Sequence, residues 1–268
     1  MNKSRQLAIE IIAENVRDEC NVTDYGFKDI FEASEKIGYR TIRHPIGEDA
    51  FLGLALIKDS DRIVFSNSSL ILSREIFSVA HEIGHQKLHL SEQGRTMVID
   101  VDFSDRDESE VEANYFAACL LMPVDKVEKF VRLELKDKSV EFLDGLDIAR
   151  IQTAFNVSYD MALIRLKALN AIDDVVYEKL KMEKTKQTAS KLLSVISGNV
   201  DLCKKTEAKK VPAEYLEWVI SNYNDKLIPK ESLETALEYI GLTADDVAII
   251  DENSDDEESF DDLLRGMD

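Results

Sequence analysis

The sequence predicts an α+β protein in which a short sheet is surrounded by helices. Three short apolar segments lie between residues 40 and 65, whereas most other segments have apolar residues at helical spacing. A chain of 268 residues is long enough for one sizeable core and a smaller second domain. We therefore expect a small three-stranded sheet in a helix-rich first domain, followed by a mostly helical C-terminal region.

The first 170 residues are predicted to contain two helices, then three strands, then four further helices. Residues 1–20 form an amphipathic helix interrupted by charges, which a signal peptide would not be. Residues 27–39 form a second helix that ends near Gly38. The three strands follow, at residues 40–43, 51–58 and 62–65, and a polar turn joins the last two. Further helices are predicted by apolar periodicity at residues 69–85, 107–122, 123–136 and 146–170.

The pattern weakens after residue 170. Residues 171–250 are predicted to be a helical C-terminal domain that includes a linker at about 198–211. Residues 251–268 contain nine acidic residues and one arginine, which predicts a disordered acidic tail. The predicted domains are thus 1–170, 171–250 and 251–268.

The motif His81-Glu82-Ile83-Gly84-His85 carries the strongest chemical signal. Residues i and i+4 of a helix lie on one face, so His81 and His85 can both offer a ring nitrogen to one metal ion. Glu82 is rotated by about 100° from His81, which places it beside the metal as a candidate general base for a water that the metal activates. This pattern predicts one zinc ion per chain and amide hydrolysis.

A hydrolytic zinc site needs a third protein ligand. Three of the four histidines lie within nine positions, but His89 is one further turn along the helix and is rotated past the metal. The glycine that would bend the chain to bring a third histidine round is replaced by Leu88. We therefore interpret His89 as a residue that supports the ligands, and we expect the third ligand elsewhere.

The helix at residues 107–122 offers carboxylates for this role. Glu110 shares a narrow face with small residues, which could pack closely on the motif helix, and Asn114 lies one turn on as its hydrogen-bond support. Glu112 falls on another side of the helix. Packing therefore favours Glu110 as the third ligand, with Glu112 as the alternative. Tyr115 and Tyr159 are weaker candidates for stabilising the oxyanion.

Two blocks carry a family resemblance. The segment from Arg74 to His85 with Leu88-His89, and the later pattern from Glu110 through Ala113-Asn114 to Met122-Pro123, resemble the ImmA/IrrE metallopeptidases. The resemblance covers about the first 170 residues. It implies a zincin-like peptidase core with Glu110 as the third zinc ligand. It also implies a helix-turn-helix repressor as the protein substrate, whose cleavage relieves repression.

Charge and cysteine content narrow the partners and the compartment. The chain has 33 basic and 53 acidic residues and a net charge of −20, which repels nucleic acid and favours a basic protein partner. Its three cysteines are widely spaced, which favours reduced thiols in a cytoplasm, and no segment is apolar enough for a membrane. Oligomeric state has no sequence signal.

Two alternative functions remain open at this point. A binding-only antirepressor would use the same fold to hold a repressor without cutting it. A DNA-binding regulator would use residues 146–169, which resemble a helix-turn-helix with Ser158 as the N-cap of the second helix. That second helix offers few groups for bases or phosphates, so no direct nucleic-acid binding is expected.

Overall fold

The computed structural model describes residues 1–58, 60–90, 97–100 and 107–247, and Asp100 through its backbone alone. The predicted acidic tail at 251–268 lies outside these residues. The strands are β1 Tyr39–His44, β2 Gly53–Lys58, β3 Asp61–Asn67 and β4 Met97–Asp100. The helices of the first half are α1 Lys3–Glu19, α2 Ile30–Lys36, α3 Leu72–His85, α4 Glu108–Leu121 and α5 Val124–Leu133. Those of the second half are α6 Gly145–Phe155, α7 Tyr159–Ala168, α8 Asp174–Lys186, α9 Ala189–Val195, α10 Ala213–Asn224 and α11 Lys230–Glu238.

The α+β class is confirmed, but the sheet has four strands and the prediction of three was wrong. Its order is β1-β3-β2-β4, with β1 parallel to β3 and the other two pairs antiparallel. The additional strand, β4, pairs from Met97 opposite Leu56 to Asp100 opposite Gly53. Four residues are too few for a clear period-2 pattern, and their pairing with β2 is a long-range contact that the local sequence does not encode.

Polar residues begin several of the helices. Asp29 accepts hydrogen bonds from the first backbone amides of α2, and Asp107 does the same for α4. The Ser158 side chain accepts a hydrogen bond from the backbone amide of Met161, which confirms the predicted N-cap of α7. Between α6 and α7, Asn156 has a left-handed backbone with φ of 53°, a conformation that asparagine tolerates better than most residues.

The chain forms two compact units, residues 1–210 and a second unit that begins at Val211. The first unit extends past residue 170, where a domain end is predicted, because side chains of the later helices share its core. Leu180, Leu192 and Leu202 are fully or almost fully buried among residues of α6 and α7. The division into functional domains stays a prediction. In the second unit, Leu233 and Leu237 of α11 are fully buried.

Candidate metal centre

Helix α3 carries the motif into the middle of the first unit. His81, Glu82 and His85 are all fully buried. Close packing against α4 depends on Gly84, because a Cβ there would lie 2.9 Å from Phe116 Cδ1 and 3.3 Å from Ala113 Cα. The small residue Ala113 therefore meets the motif helix, as the sequence predicts. Phe116 contributes to the same interface, although it lies on another side of α4 from the predicted small-residue face.

Glu110 meets the two motif histidines in the structure. His81 Nε2 and His85 Nε2 are 2.9 Å apart. Glu110 Oε2 lies 3.3 Å from His81 Nε2, and Glu110 Oε1 lies 3.4 Å from His85 Nε2. These three side chains form the one cluster of histidine, cysteine and carboxylate ligands that could hold a metal among the described residues.

The cluster fits zinc. Ligand atoms about 2.0–2.2 Å from a tetrahedral ion lie about 3.3–3.6 Å from one another. Both distances to Glu110 fall in or close to that range, and the two histidine nitrogens are only a few tenths of an ångström closer. Two imidazoles and one carboxylate are also a donor set that hydrolytic zinc sites use, with one position left for water.

The electrostatics of Glu110 suit a metal ligand. Burial alone would raise the pKa of its carboxyl, but its contacts with His81 and His85 outweigh this effect and hold the pKa well below its ordinary value. The group is therefore ionised at neutral pH. The Glu110 side chain is 13% exposed to solvent, whereas both histidine side chains are fully buried, so the cluster reaches solvent on the Glu110 side.

Glu112, the alternative third ligand, points to a different partner. Arg5 of α1 donates to both of its carboxylate oxygens, at 2.7 and 2.6 Å. Hydrogen bonds from Arg5 lower the pKa of the Glu112 carboxyl, so this group too is ionised. Glu112 also lies 3.2 Å from His89 Nε2 and is not part of the cluster with His81 and His85.

His89 contacts the ring of His85 on the side that faces away from the cluster. The chain continues from α3 into a π-helical turn, Gln86–Leu90, a feature that is often found at functional sites. His89 Nδ1 there lies 3.0 Å from His85 Nδ1, on the side of the ring away from the cluster. Burial lowers the pKa of His89 and so favours its neutral form. This position suits the supporting role expected from the sequence, and the role itself stays a prediction.

Glu82 lies against a strand glycine that sequence reasoning overlooked. A Cβ at Gly53, the first residue of β2, would collide with Glu82 Oε1 and with the hydroxyl of Ser78. Ser78 in turn donates to the carbonyl of Leu52 at 3.1 Å. The start of β2 thus forms one wall around the candidate base. A glycine within a predicted strand is the signal that could have found it, because it marks a close approach.

The remaining candidates lie in different surroundings. Asn114 follows Glu110 by one turn and lines a cavity beside the cluster. The hydroxyl of Tyr115 donates to Glu10 of α1. That of Tyr159 is buried and donates to the carbonyl of Leu180 at 3.0 Å. Each tyrosine has one donor, and both are engaged, so a role at an oxyanion would require these bonds to exchange and stays a prediction.

The cavity has a volume of about 740 Å³ and is mainly apolar. It begins one helical turn from the cluster, since Phe77 precedes His81 by four residues and Asn114 follows Glu110 by four. Its wall includes the hydroxyl of Ser73, which is buried and has no hydrogen-bond partner among the described residues. Helices α3, α4 and α7 contribute several of the apolar lining residues: Phe77, Val111, Ala118, Met161 and Ile164.

A buried ion pair that the sequence did not reveal fixes the start of α3. Glu75 is fully buried and accepts two hydrogen bonds from Arg43 of β1, both at 2.8 Å. Ser66 of β3 and Thr206 also donate to it, each at 3.0 Å. Four donors therefore satisfy this carboxylate, and they connect the sheet to the helix that carries the motif.

In the helix-turn-helix segment, the arginine of the second helix is buried. Arg165 is 3% exposed, and its Nε donates to the carbonyl of Met122 at 2.9 Å. Lys167 pairs with Asp174 at 2.7 Å. Both side chains therefore have partners within the first unit. Every helix within the described ranges is too short or too polar to cross a bilayer.

Comparison with known proteins agrees with this geometry. The family model Peptidase_M78, described as the IrrE N-terminal-like domain, matches residues 34–167, which is half of the chain and contains the motif and Glu110. No curated protein matches the chain. The match supports a metallopeptidase-type or IrrE-like regulatory function and confirms the resemblance that the two sequence blocks indicate. The chain belongs to the Peptidase_M78 family, that of the IrrE N-terminal-like domain.

Proposed function

We propose that the protein is a zinc-dependent endopeptidase. The observation that carries the proposal is the convergence of His81, His85 and Glu110, with Glu82 next to His81 on the same helix. Two histidines and one carboxylate would hold one zinc ion per chain, with a fourth position left for the reaction. When bound, zinc supplies a Lewis acid that polarises the scissile carbonyl and makes water acidic enough to lose a proton near neutral pH.

The chain itself supplies the proton transfer. Glu82 accepts the proton of the attacking water and returns it to the leaving amine. Burial of this carboxylate against Gly53 and Ser78 limits its movement, which matters because a misplacement of about 1 Å can cost about 10²-fold in rate.

We assign the apolar cavity to the side chains of the polypeptide substrate. It begins one turn from the cluster and is enclosed mainly by apolar groups, so a large apolar side chain near the scissile bond would fill it. The buried hydroxyl of Ser73 offers one polar contact in this wall.

The proposed substrate is a helix-turn-helix transcriptional repressor, whose cleavage would switch on the genes that it represses. Family resemblance suggests this class of partner. The net charge of −20 supports it, because a DNA-binding repressor is basic and would be attracted to an acidic protein. A cytoplasmic location follows from this role and belongs to the same proposal.

The test is incubation of the purified protein with the repressor that is encoded beside it, followed by mass spectrometry of the intact products. We expect the wild type to yield two complementary fragments and Glu82→Gln to yield none, although the variant keeps its zinc. If neither protein cuts the repressor but both release it from DNA, the peptidase proposal fails and binding-only antirepression replaces it.

A further inference from the structure

Helix α1 lies outside the residues that the family model matches, yet one of its side chains reaches the surroundings of the metal centre. Arg5 donates from Nε and Nη2 to the two oxygens of Glu112. Glu112 Oε2 lies 3.2 Å from His89 Nε2, and His89 Nδ1 lies 3.0 Å from His85 Nδ1. A continuous line of hydrogen bonds therefore runs from the guanidinium of α1 to a ring of the cluster.

Donor and acceptor chemistry fixes the direction of this line. An ionised carboxylate can only accept, so His89 donates to Glu112 from Nε2. A neutral imidazole carries a single proton, so Nδ1 of His89 is then an acceptor and receives a hydrogen bond from His85 Nδ1–H. With the ring proton of His85 on Nδ1, its Nε2 offers a lone pair to a metal. That atom is the one 3.4 Å from Glu110 Oε1 and 2.9 Å from His81 Nε2.

We propose that Arg5 is a positioning residue for the metal centre. By holding Glu112 in place, it orients His89 and keeps His85 in the tautomer that presents Nε2 to the metal. The proposal rests on the proposed metal site and extends it to a helix beyond the matched domain. Metal affinity would then depend on the docking of α1. The charged contact of Arg5 is linked to the ligand His85 through three successive hydrogen-bonded pairs: Arg5–Glu112, Glu112–His89 and His89–His85.

The geometry indicates that Arg5 orients the Glu112 side chain and does not only hold α1 and α4 together. Glu112 is 9% exposed and is held by a two-pronged Arg5 contact, which restricts its rotation more than a single bond would. A second polar contact joins the same two helices, since Tyr115 of α4 donates to Glu10 of α1. This second contact does not touch His89 or His85, so it provides a matched control for helix docking.

The experiment uses the full-length protein and measures zinc affinity by competition with a chelator. We expect Arg5→Met and Glu112→Gln each to weaken zinc binding by about 10-fold, the lower end of the usual cost of losing an outer partner of a ligating histidine, because both act through His89. Their double variant should be no weaker than the worse single variant, because both break the same line of contacts. Glu10→Gln should keep wild-type zinc affinity.

A second readout reports the tautomers directly. Long-range ¹⁵N–¹H NMR spectra of histidine-labelled, metal-free protein should place the proton on Nδ1 of His85 and on Nε2 of His89. In Arg5→Met the His85 signals should become those of a mixture of tautomers. A purely structural contact would change the melting temperature without moving these signals.

The outcomes separate this proposal from the proposed function. A wild type that binds no zinc rejects the metal site and the role of Arg5 with it. A wild type that binds zinc tightly, together with Arg5 and Glu112 variants of equal affinity, rejects the role of Arg5 alone. A loss in Glu10→Gln as large as in Arg5→Met also rejects it, in favour of helix docking. If Arg5→Met does not fold, Arg5→Lys replaces it, because lysine keeps the positive charge but cannot make both hydrogen bonds of the guanidinium. Arg5→Lys should show a smaller loss of zinc affinity. An unchanged zinc affinity in Arg5→Lys overturns the proposal.

Discussion

Replacing Gly53 with alanine should lower the proposed peptidase activity about 100-fold without removing the zinc. The added Cβ would collide with Glu82 Oε1 and with the Ser78 hydroxyl, and neither can stay where it is. To reach an ordinary van der Waals contact of 3.4 Å, the carboxylate must retreat by about 1 Å. A shift of that size at a reacting group costs about 10²-fold in rate, and we expect kcat to fall by that factor.

Stability should fall by less than activity does. Inserting a methyl group into a packed site costs about 1–3 kcal/mol in the free energy of unfolding. For a unit of this size, each kcal/mol lowers the melting temperature by about 2–4 °C. Zinc content should remain near one per chain, because the atoms nearest to the new methyl group belong to Glu82 and Ser78 and not to the three ligands.

The assay is cleavage of a repressor or model substrate, with zinc content and thermal unfolding measured on the same samples. Gly26→Ala is the matched control, since the atoms nearest to its Cβ would be those of the Phe155 backbone and not of Glu82. That variant should lose stability but keep its kcat per folded molecule. Wild-type kcat in Gly53→Ala would refute the placement of Glu82 as the base.

Three further predictions concern the metal, the buried ion pair and the cavity. Glu110→Gln should lose zinc under conditions in which the exposed Glu108→Gln keeps it, as elemental analysis after dialysis would show; equal retention would rule out Glu110 as a ligand. Arg43→Met leaves Glu75 buried without its cationic partner and should lower the free energy of unfolding by about 3–5 kcal/mol in chemical denaturation, and a loss below 1 kcal/mol would contradict this. Ala118→Leu narrows the apolar cavity and should raise KM several-fold with little change in kcat, whereas unchanged KM would exclude the cavity as a substrate site.

The local sequence was sufficient to predict which side chains meet at the candidate metal centre. The spacing of His81 and His85 follows from one turn of helix, and small residues near Glu110 indicate the face that meets α3. The cap at Ser158 was also predictable, because capping depends on residues only three positions apart. In each case the signal and the structure that it specifies lie on the same element.

The supporting contacts could not be predicted because their partners are remote in sequence. Arg5 and Glu112 are 107 residues apart, and Arg43 and Glu75 are 32 apart. No pattern within one element identifies such pairs, which exist only once helices and strands are packed. The same holds for β4, whose place in the sheet is fixed by its pairing with β2 and not by its own four residues.

The central claim is that His81, His85 and Glu110 together hold the metal. Anomalous diffraction recorded on both sides of the zinc absorption edge, from crystals of protein purified with zinc, would test it most directly. We expect one strong peak per chain, within bonding distance of Nε2 of both histidines and of a Glu110 oxygen. A peak bound instead to His89 and Glu112, or the absence of a peak in zinc-loaded crystals, would contradict the account.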